Sequence, residues 1–489
     1  MRMKPRSGGA KWSVLGVTTF GAFIANADAT IVVVALPAIL TGLHSNIATV
    51  LWTLTGYMLV STVLLLPLGR LSDLVGRKTL FLAGFILFAV GSALCGATPS
   101  GPALIVFRCL QGLGGAAISA LGTPIITEAF APSELGLALG INSLAWVLGS
   151  LVGPVAGGIL VSTLGWRSVF YVTVPFSVLA ATIGWLVLPA SQRRATRLQL
   201  DWPGLIFFTV ALTLLLVVFT EGLAWGWRSP RLIGLVLIAL LSGAAFIHRE
   251  LTTKEPLFDL RLFGIKAFGA AQTVVTFASI GFFATTFLLT FYLQGGLAQS
   301  PLTTGLILIP LSAPQLLSSP LGGRLADRIG SGWPIWGGVA GLGIGALWLS
   351  QLPDRLSIWA IGLPLALMAV ANGFYWPPLS SLVMKVSPRE RLGMASGLFY
   401  TFRNIGFSLS LTLALVFAET SLPPAEAVGV FLGLHTGTSP AMAEALIHAV
   451  RTAFRWFSLA FLIALAAGIP ILIAQRSRPG SRARQASGL

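Results

Sequence analysis

The chain has 489 residues, of which 55% are hydrophobic and 9% charged, and its mean hydropathy is +0.88. A soluble protein carries roughly a quarter charged residues, so this composition excludes a soluble enzyme or binding domain and indicates a polytopic membrane protein. The net charge of +16 does not indicate nucleic-acid binding, because lysine and arginine fall in short segments between apolar runs.

A membrane-spanning helix needs about 20 apolar residues, and by that measure the sequence predicts an all-α protein with fourteen spans. The first six are Val14–Ile39, Ala48–Leu68, Leu80–Ala97, Pro102–Ile125, Leu135–Val161 and Val169–Leu188. A hairpin follows, comprising Pro203–Phe219 and Leu232–Phe246. The last six are Ala267–Leu293, Thr303–Leu321, Pro334–Leu349, Ile358–Val383, Leu392–Phe417 and Phe454–Ile473.

Positive charge predicts the orientation of these spans. Of the 31 lysine and arginine residues, 23 lie in segments on the side of the two termini and six on the opposite side. Cytoplasmic loops carry the excess of such residues. We therefore expect both termini on the cytoplasmic side of the cell inner (plasma) membrane.

A weak internal repeat predicts two halves. GRLSDLVGRK (Gly69 to Lys78) follows the second span, and GRLADRIG (Gly323 to Gly330) follows the tenth. If the hairpin is an insertion, each copy follows the second helix of a six-helix half, the arrangement of a rocking transporter. The expected division is an N-terminal bundle (1–190), links with the inserted hairpin (191–266), a C-terminal bundle (267–475) and a basic tail (476–489).

Asp28 is the only acidic residue that we place in the middle of a span. An ionised carboxylate at that depth costs roughly 2.5–3.5 kcal/mol on insertion scales, so it is retained for a function or a partner. Arg108, inside the fourth span, could share its depth. A nearby guanidinium lowers a carboxyl pKa and burial raises it, which makes Asp28 a candidate proton site. The alternative is a static buried ion pair.

Several motifs together resemble the major facilitator superfamily, specifically its fourteen-helix drug:proton antiporter branch. ADATIVVVALP resembles the first-helix signature, FRCLQGLGGAA the fourth-helix pattern and GSLVGPVAGGIL the antiporter motif of the fifth helix. The loop motif matches at Gly69, Leu71, Asp73, Gly76, Arg77 and Lys78. The resemblance covers nearly the whole chain and implies the major facilitator fold, two six-helix bundles plus the inserted hairpin.

The resemblance also assigns roles. Asp73, Arg77 and Lys78, with Gly69 and Gly76, would form a cytoplasmic gate, although a plain turn with orienting charge is the alternative. Asp327 belongs to the second copy, which lacks the paired Arg-Lys, so we expect a weaker clamp there. Glu128 is a further candidate gate or proton-exit residue. The antiporter motif comprises Gly149, Gly153, Pro154, Gly157 and Gly158, and its glycine face is expected between the halves, where it resists leakage.

Aromatic and amide residues at mid-depth are the candidate substrate cavity, because a cavity of rings with few fixed hydrogen bonds accepts many lipophilic shapes. Packing is the alternative for any single residue, and the role of Arg403 stays open. The candidates are Asn26, Tyr57, Gln111, Asn142, Trp146, Phe283, Gln315, Asn372, Tyr375, Trp376, Phe399, Tyr400 and Arg403.

Taken together, the residues and the resemblance imply a proton-coupled antiporter that exports lipophilic neutral or monocationic compounds (multidrug efflux) by alternating access. The expected partners are small lipophilic substrates, protons and membrane lipid, with the monomer as functional unit. No cofactor, metal, ATP or enzymatic activity is expected, since the sequence has no Walker motif and no nucleophile–base or metal cluster. The alternatives are a lipid or lipid-linked metabolite transporter on the same fold and a non-transporting membrane receptor or scaffold.

Overall fold

A computed structural model describes residues 8–45, 47–189, 201–253, 261–420 and 440–476, and within these ranges all regular structure is helical. The first half contains eight helices. They are α1 (Gly8–Gly42), α2 (Ile47–Val63), α3 (Leu65–Val75), α4 (Arg77–Gly96), α5 (Gly101–Ala129), α6 (Leu135–Leu164), α7 (Ser168–Tyr171) and α8 (Thr173–Val187).

The hairpin and the second half contain ten more helices. The hairpin is α9 (Trp202–Trp225) and α10 (Pro230–Thr252), and α11 (Arg261–Gly264) links it to the second half. The rest are α12 (Lys266–Thr290), α13 (Pro301–Leu308), α14 (Gln315–Ile329), α15 (Gly332–Leu349), α16 (Ile358–Val386), α17 (Leu392–Glu419) and α18 (Pro440–Arg476). Short π and 3-10 turns lie at Phe291–Gly296, Ile309–Leu311 and Arg389–Arg391.

The helix inventory agrees with the predicted fold class. In the described residues, 12 helical segments are long and apolar enough to cross a membrane, and the pair α2 and α3, bent by 44°, makes a thirteenth span. The fourteenth predicted span corresponds to α15, whose glycine and tryptophan content lowers its hydropathy. Helix α15 packs between α16 and α18, so it belongs to the same bundle as its neighbours.

Several helices begin where a side chain caps the first turn and proline follows. Ser100 accepts a hydrogen bond from the Ala103 N–H at 3.4 Å, and Asp201 accepts one from Gly204 at 3.2 Å. Proline in the first turn has no N–H to leave unsatisfied, and here it is the second helical residue. These Ser-Gly-Pro and Asp-Trp-Pro sequences therefore fix the starts of α5 and α9.

Two predicted spans differ from the structure. The last helix begins at Pro440 rather than Phe454, because the polar segment before Phe454 has one apolar face. Leu446, Val450 and Ala453 on that face are buried, and the helix packs against the π turn that ends the α12 span. The tenth span, expected as one helix from Thr303, is broken between α13 and α14, where Pro310 and Pro314 interrupt the backbone hydrogen-bond ladder.

The helices pack mainly within their own halves. Helix α1 lies against α6, α5 and α8 in the first half, and α12 lies against α17 and α18 in the second. The halves meet through α6 against α14 and α16, and through α3 and α5 against α17. The space between the halves is therefore bordered by α3, α5 and α6 on one side and α14, α16 and α17 on the other.

The inserted hairpin packs at the seam between α2 and α17. Leu212 and Leu216 of α9 form a small apolar cluster with Val63 of α2, and the Thr412 hydroxyl of α17 donates to the Phe219 carbonyl at 2.8 Å. Glu221 lies two residues beyond the apolar span of α9. Burial raises the pKa of Glu221, against the opposing effect of its hydrogen bond with Trp52 of α2.

Candidate functional site

Asp28 and Arg108 form an ion pair between α1 and α5. The Arg108 Nη1 atom lies 2.8 Å from Asp28 Oδ2, and both side chains are fully buried. The shared depth expected from sequence therefore corresponds to direct contact. Removing one partner of a buried pair leaves the other charge uncompensated, at a cost of about 3–5 kcal/mol. The pair therefore joins α1 to α5, and one added proton would change the net charge of the pair.

Gln111 completes the same cluster, which corrects its expected place in the substrate cavity. It lies one turn after Arg108, so both side chains extend from one face of α5. Its Nε2 donates to Asp28 Oδ1 at 2.8 Å and to the Ser92 hydroxyl at 2.6 Å, and its Oε1 accepts from Arg108 at 2.5 Å. Both carboxylate oxygens of Asp28 are therefore hydrogen-bonded.

Tyr57 also belongs to this cluster rather than to the cavity. It is 7% exposed, and its ring centroid lies 4.3 Å from the Arg108 guanidinium carbon, a cation–π distance. The Thr53 carbonyl accepts from Arg108 Nε at 3.2 Å, while Arg108 Nη2 has no hydrogen-bond partner in the structure. Protonation of Asp28 would thus weaken one contact of Arg108 while Thr53, Tyr57 and Gln111 continue to hold it.

The first cytoplasmic clamp is formed by Asp73 and Arg77. The Asp73 carboxylate accepts from the Gly393 and Met394 N–H groups, each at 3.3 Å, at the start of α17 in the other half. Arg77 pairs with Asp73 at 2.9 Å and with Glu128 at 2.7 Å. A carboxylate is stabilised at a helix N-terminus by the free N–H groups and the helix dipole. Glu128 therefore contacts this clamp through Arg77, and its role as a gate or proton-exit residue stays a prediction.

The second clamp is formed by Asp327 and Lys385. Asp327 accepts from the Gly136 and Leu137 N–H groups at 3.0 and 2.9 Å, at the start of α6 in the first half. Lys385 of α16 pairs with Asp327 at 2.9 Å. The cation that the missing Arg-Lys would have supplied comes from a different helix, and the expected weakness of this clamp stays a prediction.

The clamps hold the ends of the halves that carry the two repeat loops in backbone contact. A Cβ added at Gly69 would collide with the Gly393 carbonyl, and one at Gly323 would collide with the Gly136 carbonyl. The structure is therefore closed on the side of the repeat loops, which the sequence predicts to be cytoplasmic. Gly76 serves a different purpose, since its φ of 108° allows the reversal between α3 and α4.

Lys78 lies outside the clamps, which corrects its expected gate role. Its ammonium donates to the Trp185 and Leu188 carbonyls, each at 2.6 Å, at the end of α8. Cations stabilise the carbonyl end of a helix. Lys78 therefore joins α4 to α8 within the first half.

The antiporter-motif glycines of α6 face α1 in the same half, so the expectation that they lie between the halves was wrong. A Cβ at Gly153 would collide with the Thr30 hydroxyl, and Gly149 and Gly157 approach Asn26 and Ile31 closely. A Cβ added at Gly158 would meet no atom of a neighbouring element of the described chain within 4 Å. The Pro154 side chain lies outside the described residues. Helix α6 instead meets the other half at Gly136 and Gly140.

The remaining cavity candidates divide into exposed and buried groups. Asn26, Trp146, Phe283, Asn372, Trp376 and Arg403 are partly exposed, whereas Asn142, Gln315, Tyr375, Phe399 and Tyr400 are buried. The buried group still supports the exposed group, since the rings of Phe399 and Tyr400 lie 5.0 and 6.1 Å from Trp376. Gln315 accepts from Asn372 at 2.8 Å. Phe399, Tyr400 and Gln315 thus each contact an exposed candidate, whereas Asn142 accepts from the Thr19 hydroxyl at 3.3 Å.

Sequence reasoning missed four contributors to these sites. Ser92 and Thr53 lie inside apolar helices, where a single hydroxyl residue gives little signal. Lys385 and Gly393 lie near helix ends, and nothing in their local sequence indicates a partner in the loop of a distant repeat. The repeat itself was the available signal, because symmetry between the halves places a helix start opposite each loop aspartate.

Comparisons with known proteins agree with this architecture. The sequence matches the family model described as Major Facilitator Superfamily over residues 18–411 and again over 273–487. It is 31% identical to the tetracenomycin C resistance and export protein of Streptomyces glaucescens, covering 98% of this chain and 95% of that protein. It is also 31% identical to a multidrug resistance protein B homolog of Mycobacterium tuberculosis, covering 82% and 75% of the two chains.

The solved structure of the proton:xylose symporter XylE superimposes with a TM-score of 0.62 over 93% of this chain and 95% of that one, at 15% sequence identity. At that identity the similarity concerns the fold alone.

Proposed function

Because the chain belongs to the major facilitator superfamily, we propose that it exports lipophilic small molecules from the cytoplasm in exchange for inward protons, by alternating access between its halves. Two relatives whose names describe resistance or export support the outward direction. The family consists of transporters, and we propose no enzymatic activity. The proposed setting is the inner membrane with cytoplasmic termini and a monomeric functional unit.

The buried Asp28 carboxylate is the observation that carries the proposal. It is the acidic group at the contact of α1 with α5, and Arg108 and Gln111 satisfy it while it is ionised. Protonation removes the charge that attracts Arg108 and so changes the free energy of packing α1 against α5. A proton can therefore bias the position of a helix that also borders the space between the halves.

The contacts between the halves support alternating access. Both clamps bind the N-terminus of a helix in the opposite half through exchangeable hydrogen bonds. Opening on the cytoplasmic side requires that these contacts and the glycine contacts beside them separate. The packing within each half, including the glycine face between α6 and α1, stays intact.

The substrate charge follows in part from the cavity. Among the described residues of the second half, no acidic residue lies within a span except in the clamp and at helix ends. This distribution suits the expected neutral compounds. A monocation would approach the positive charge of Arg403, so we favour neutral compounds over monocations.

Uptake into inverted vesicles tests the proposal, with the neutral dye Nile red and the monocation ethidium under imposed pH gradients. We expect wild type to accumulate Nile red in proportion to the gradient and Asp28→Asn to lose that dependence. The single variant leaves Arg108 unpaired, so the double variant Asp28→Asn/Arg108→Gln is the matched control, since it removes both charges. We expect the double variant to recover thermal stability but not proton coupling.

Gradient-dependent accumulation by the double variant would reject the proposal, because it would make the pair a static structural contact. A thermal unfolding midpoint that is equal in the single and double variants would show that the pair contributes nothing as a pair.

A further inference from the structure

Arg403 lies near the middle of α17, roughly 17 Å from its cytoplasmic end at ~1.5 Å per residue. Three rings surround its guanidinium carbon, with centroids at 4.7 Å for Trp146, 5.1 Å for Phe283 and 5.3 Å for Trp376. Trp146 belongs to α6 of the first half, and the other two belong to α12 and α16 of the second. Because both halves supply the rings, Arg403 lies between the halves rather than against lipid.

The charge of Arg403 has no carboxylate to balance it. None of the ion pairs among the described residues includes Arg403, and its hydrogen bond is to Asn404 Oδ1 at 3.4 Å. Arg108, which also lies inside a predicted span, has Asp28. A charge at this depth without a partner is costly and marks a functional position. With rings against its faces, a guanidinium keeps its N–H edge for an acceptor.

The aromatic surface extends beyond these three rings. Phe407 lies 4.8 Å from Phe283, and the buried Phe399 packs against Trp376 at 5.0 Å and supports it. Such a surface offers stacked and edge contacts to a flat ring system, whereas a small inorganic anion would use none of it. The residues therefore combine one cation with a wide aromatic wall, on a surface that both halves share.

We infer that Arg403, Trp146, Phe283 and Trp376 form the recognition site for an anionic oxygen group carried on a flat aromatic substrate. This inference rests on the proposed export function and adds aromatic anions to its substrate class. The anionic oxygen accepts from the guanidinium edge, and the rings of the substrate stack on the tryptophan and phenylalanine rings. Since Trp146 and Arg403 come from opposite halves, a bound anion contacts both sides of the rocking interface.

Three pyrene derivatives that differ only in charge test the inference: pyrene-1-sulfonate (anion), pyrene-1-sulfonamide (neutral) and a pyrenyl trimethylammonium (cation). The sulfonate is permanently ionised, so its accumulation in inverted vesicles cannot come from passive partition of a weak acid. We expect wild type to take up the sulfonate, Arg403→Gln to slow that uptake about tenfold or more through loss of a charge-assisted bond, and the neutral compound to be nearly unaffected.

Arg403→Lys keeps the charge but loses the planar edge, so we expect intermediate sulfonate uptake. Arg167→Gln is the matched control, because Arg167 also stacks on a tryptophan, Trp166, at 4.3 Å, but at the N-terminal boundary of α7. It should leave the anion preference unchanged. Equal sulfonate uptake by wild type and Arg403→Gln would overturn the inference, as would a wild-type preference for the cation. If wild type showed no gradient-driven uptake of the neutral sulfonamide, that result would instead reject the proposed function.

Discussion

Two arginines inside the spans have contrasting surroundings. Arg108 is fully buried and donates hydrogen bonds to Asp28, Gln111 and the Thr53 carbonyl. Arg403 is partly exposed and has aromatic rings instead of an acid. A buried charge is retained only with compensation or with a function. Arg108 therefore fits a role in proton coupling, and Arg403 fits contact with something that enters the space between the halves.

Single glycines of the antiporter motif also have separable roles. Gly153→Ala would press a methyl group against the Thr30 hydroxyl, which donates to the Gly149 carbonyl at 3.0 Å. Overpacking of this kind costs about 1–3 kcal/mol, so the thermal unfolding midpoint in detergent should fall. Gly158→Ala is the control on the same helix, where nothing lies within 4 Å, and it should leave the midpoint unchanged or slightly higher. Equal midpoints for the two variants would contradict the packing described for α1 and α6.

At the scale of elements, the two clamps are related by the repeat. Each consists of an aspartate at the end of a helix, α3 or α14, that binds the second and third residues of a helix in the other half, α17 or α6. The accompanying cation differs between the clamps. Arg77 lies in the same loop motif as Asp73, whereas Lys385 belongs to α16. The chain therefore closes both edges of the cytoplasmic side with the same helix-terminus chemistry.

Loss of either clamp should favour cytoplasmic opening. A carboxylate at a helix N-terminus contributes about 1 kcal/mol, so Asp73→Asn and Asp327→Asn should each raise the open population roughly fivefold. The reporter is maleimide labelling of Ser319→Cys in a background with Cys95 and Cys109 replaced, because Ser319 is buried where α14 meets Gly140 of α6.

The matched control for these variants is Asp354→Asn, which removes an exposed acid paired with Arg451 away from the clamps. Labelling that rises equally with this control would show that charge loss alone, rather than clamp release, exposes the reporter.

At the scale of the whole molecule, the two halves meet through few elements and the inserted hairpin covers one seam between them. Helix α9 contacts both α2 and α17 through apolar side chains and through hydrogen bonds of Phe219 with Thr412 and of Glu221 with Trp52. Such a position leaves the clamps and the aromatic surface untouched. The hairpin therefore belongs to the periphery of the moving interface rather than to its centre.

The proposed exchange has a measurable electrical consequence. One proton entering against one neutral molecule moves one charge inward, whereas one proton entering against one monoanion leaving moves two. Each charge gains about 2.3 kcal/mol per 100 mV, so the limiting accumulation of pyrene-1-sulfonate should respond to voltage with twice the logarithmic slope of the neutral sulfonamide. Valinomycin-imposed potassium potentials in inverted vesicles provide the measurement. Equal slopes for the two compounds would exclude export of the anion with a single proton.

Much of the fold and part of the site followed from the sequence. Apolar runs of membrane length determined the spans, and the family resemblance was confirmed by the match along the chain. The depth of Asp28 and Arg108 within their helices made the pairing predictable, because helix rise converts residue number into distance along the membrane normal.

Only the tertiary structure decided which surfaces face each other. It shows that Gln111 and Tyr57 contact the Asp28 cluster rather than the cavity, that the α6 glycines face α1, and that Lys385 pairs with Asp327. An apolar helix in a membrane carries hydrophobic residues on every side, so its periodicity does not distinguish lipid, a neighbouring helix and the space between the halves. The depth of a residue in the membrane depends on one helix, so it could be predicted from the sequence of that helix. A contact between residues depends on how two helices pack, so it required the tertiary structure.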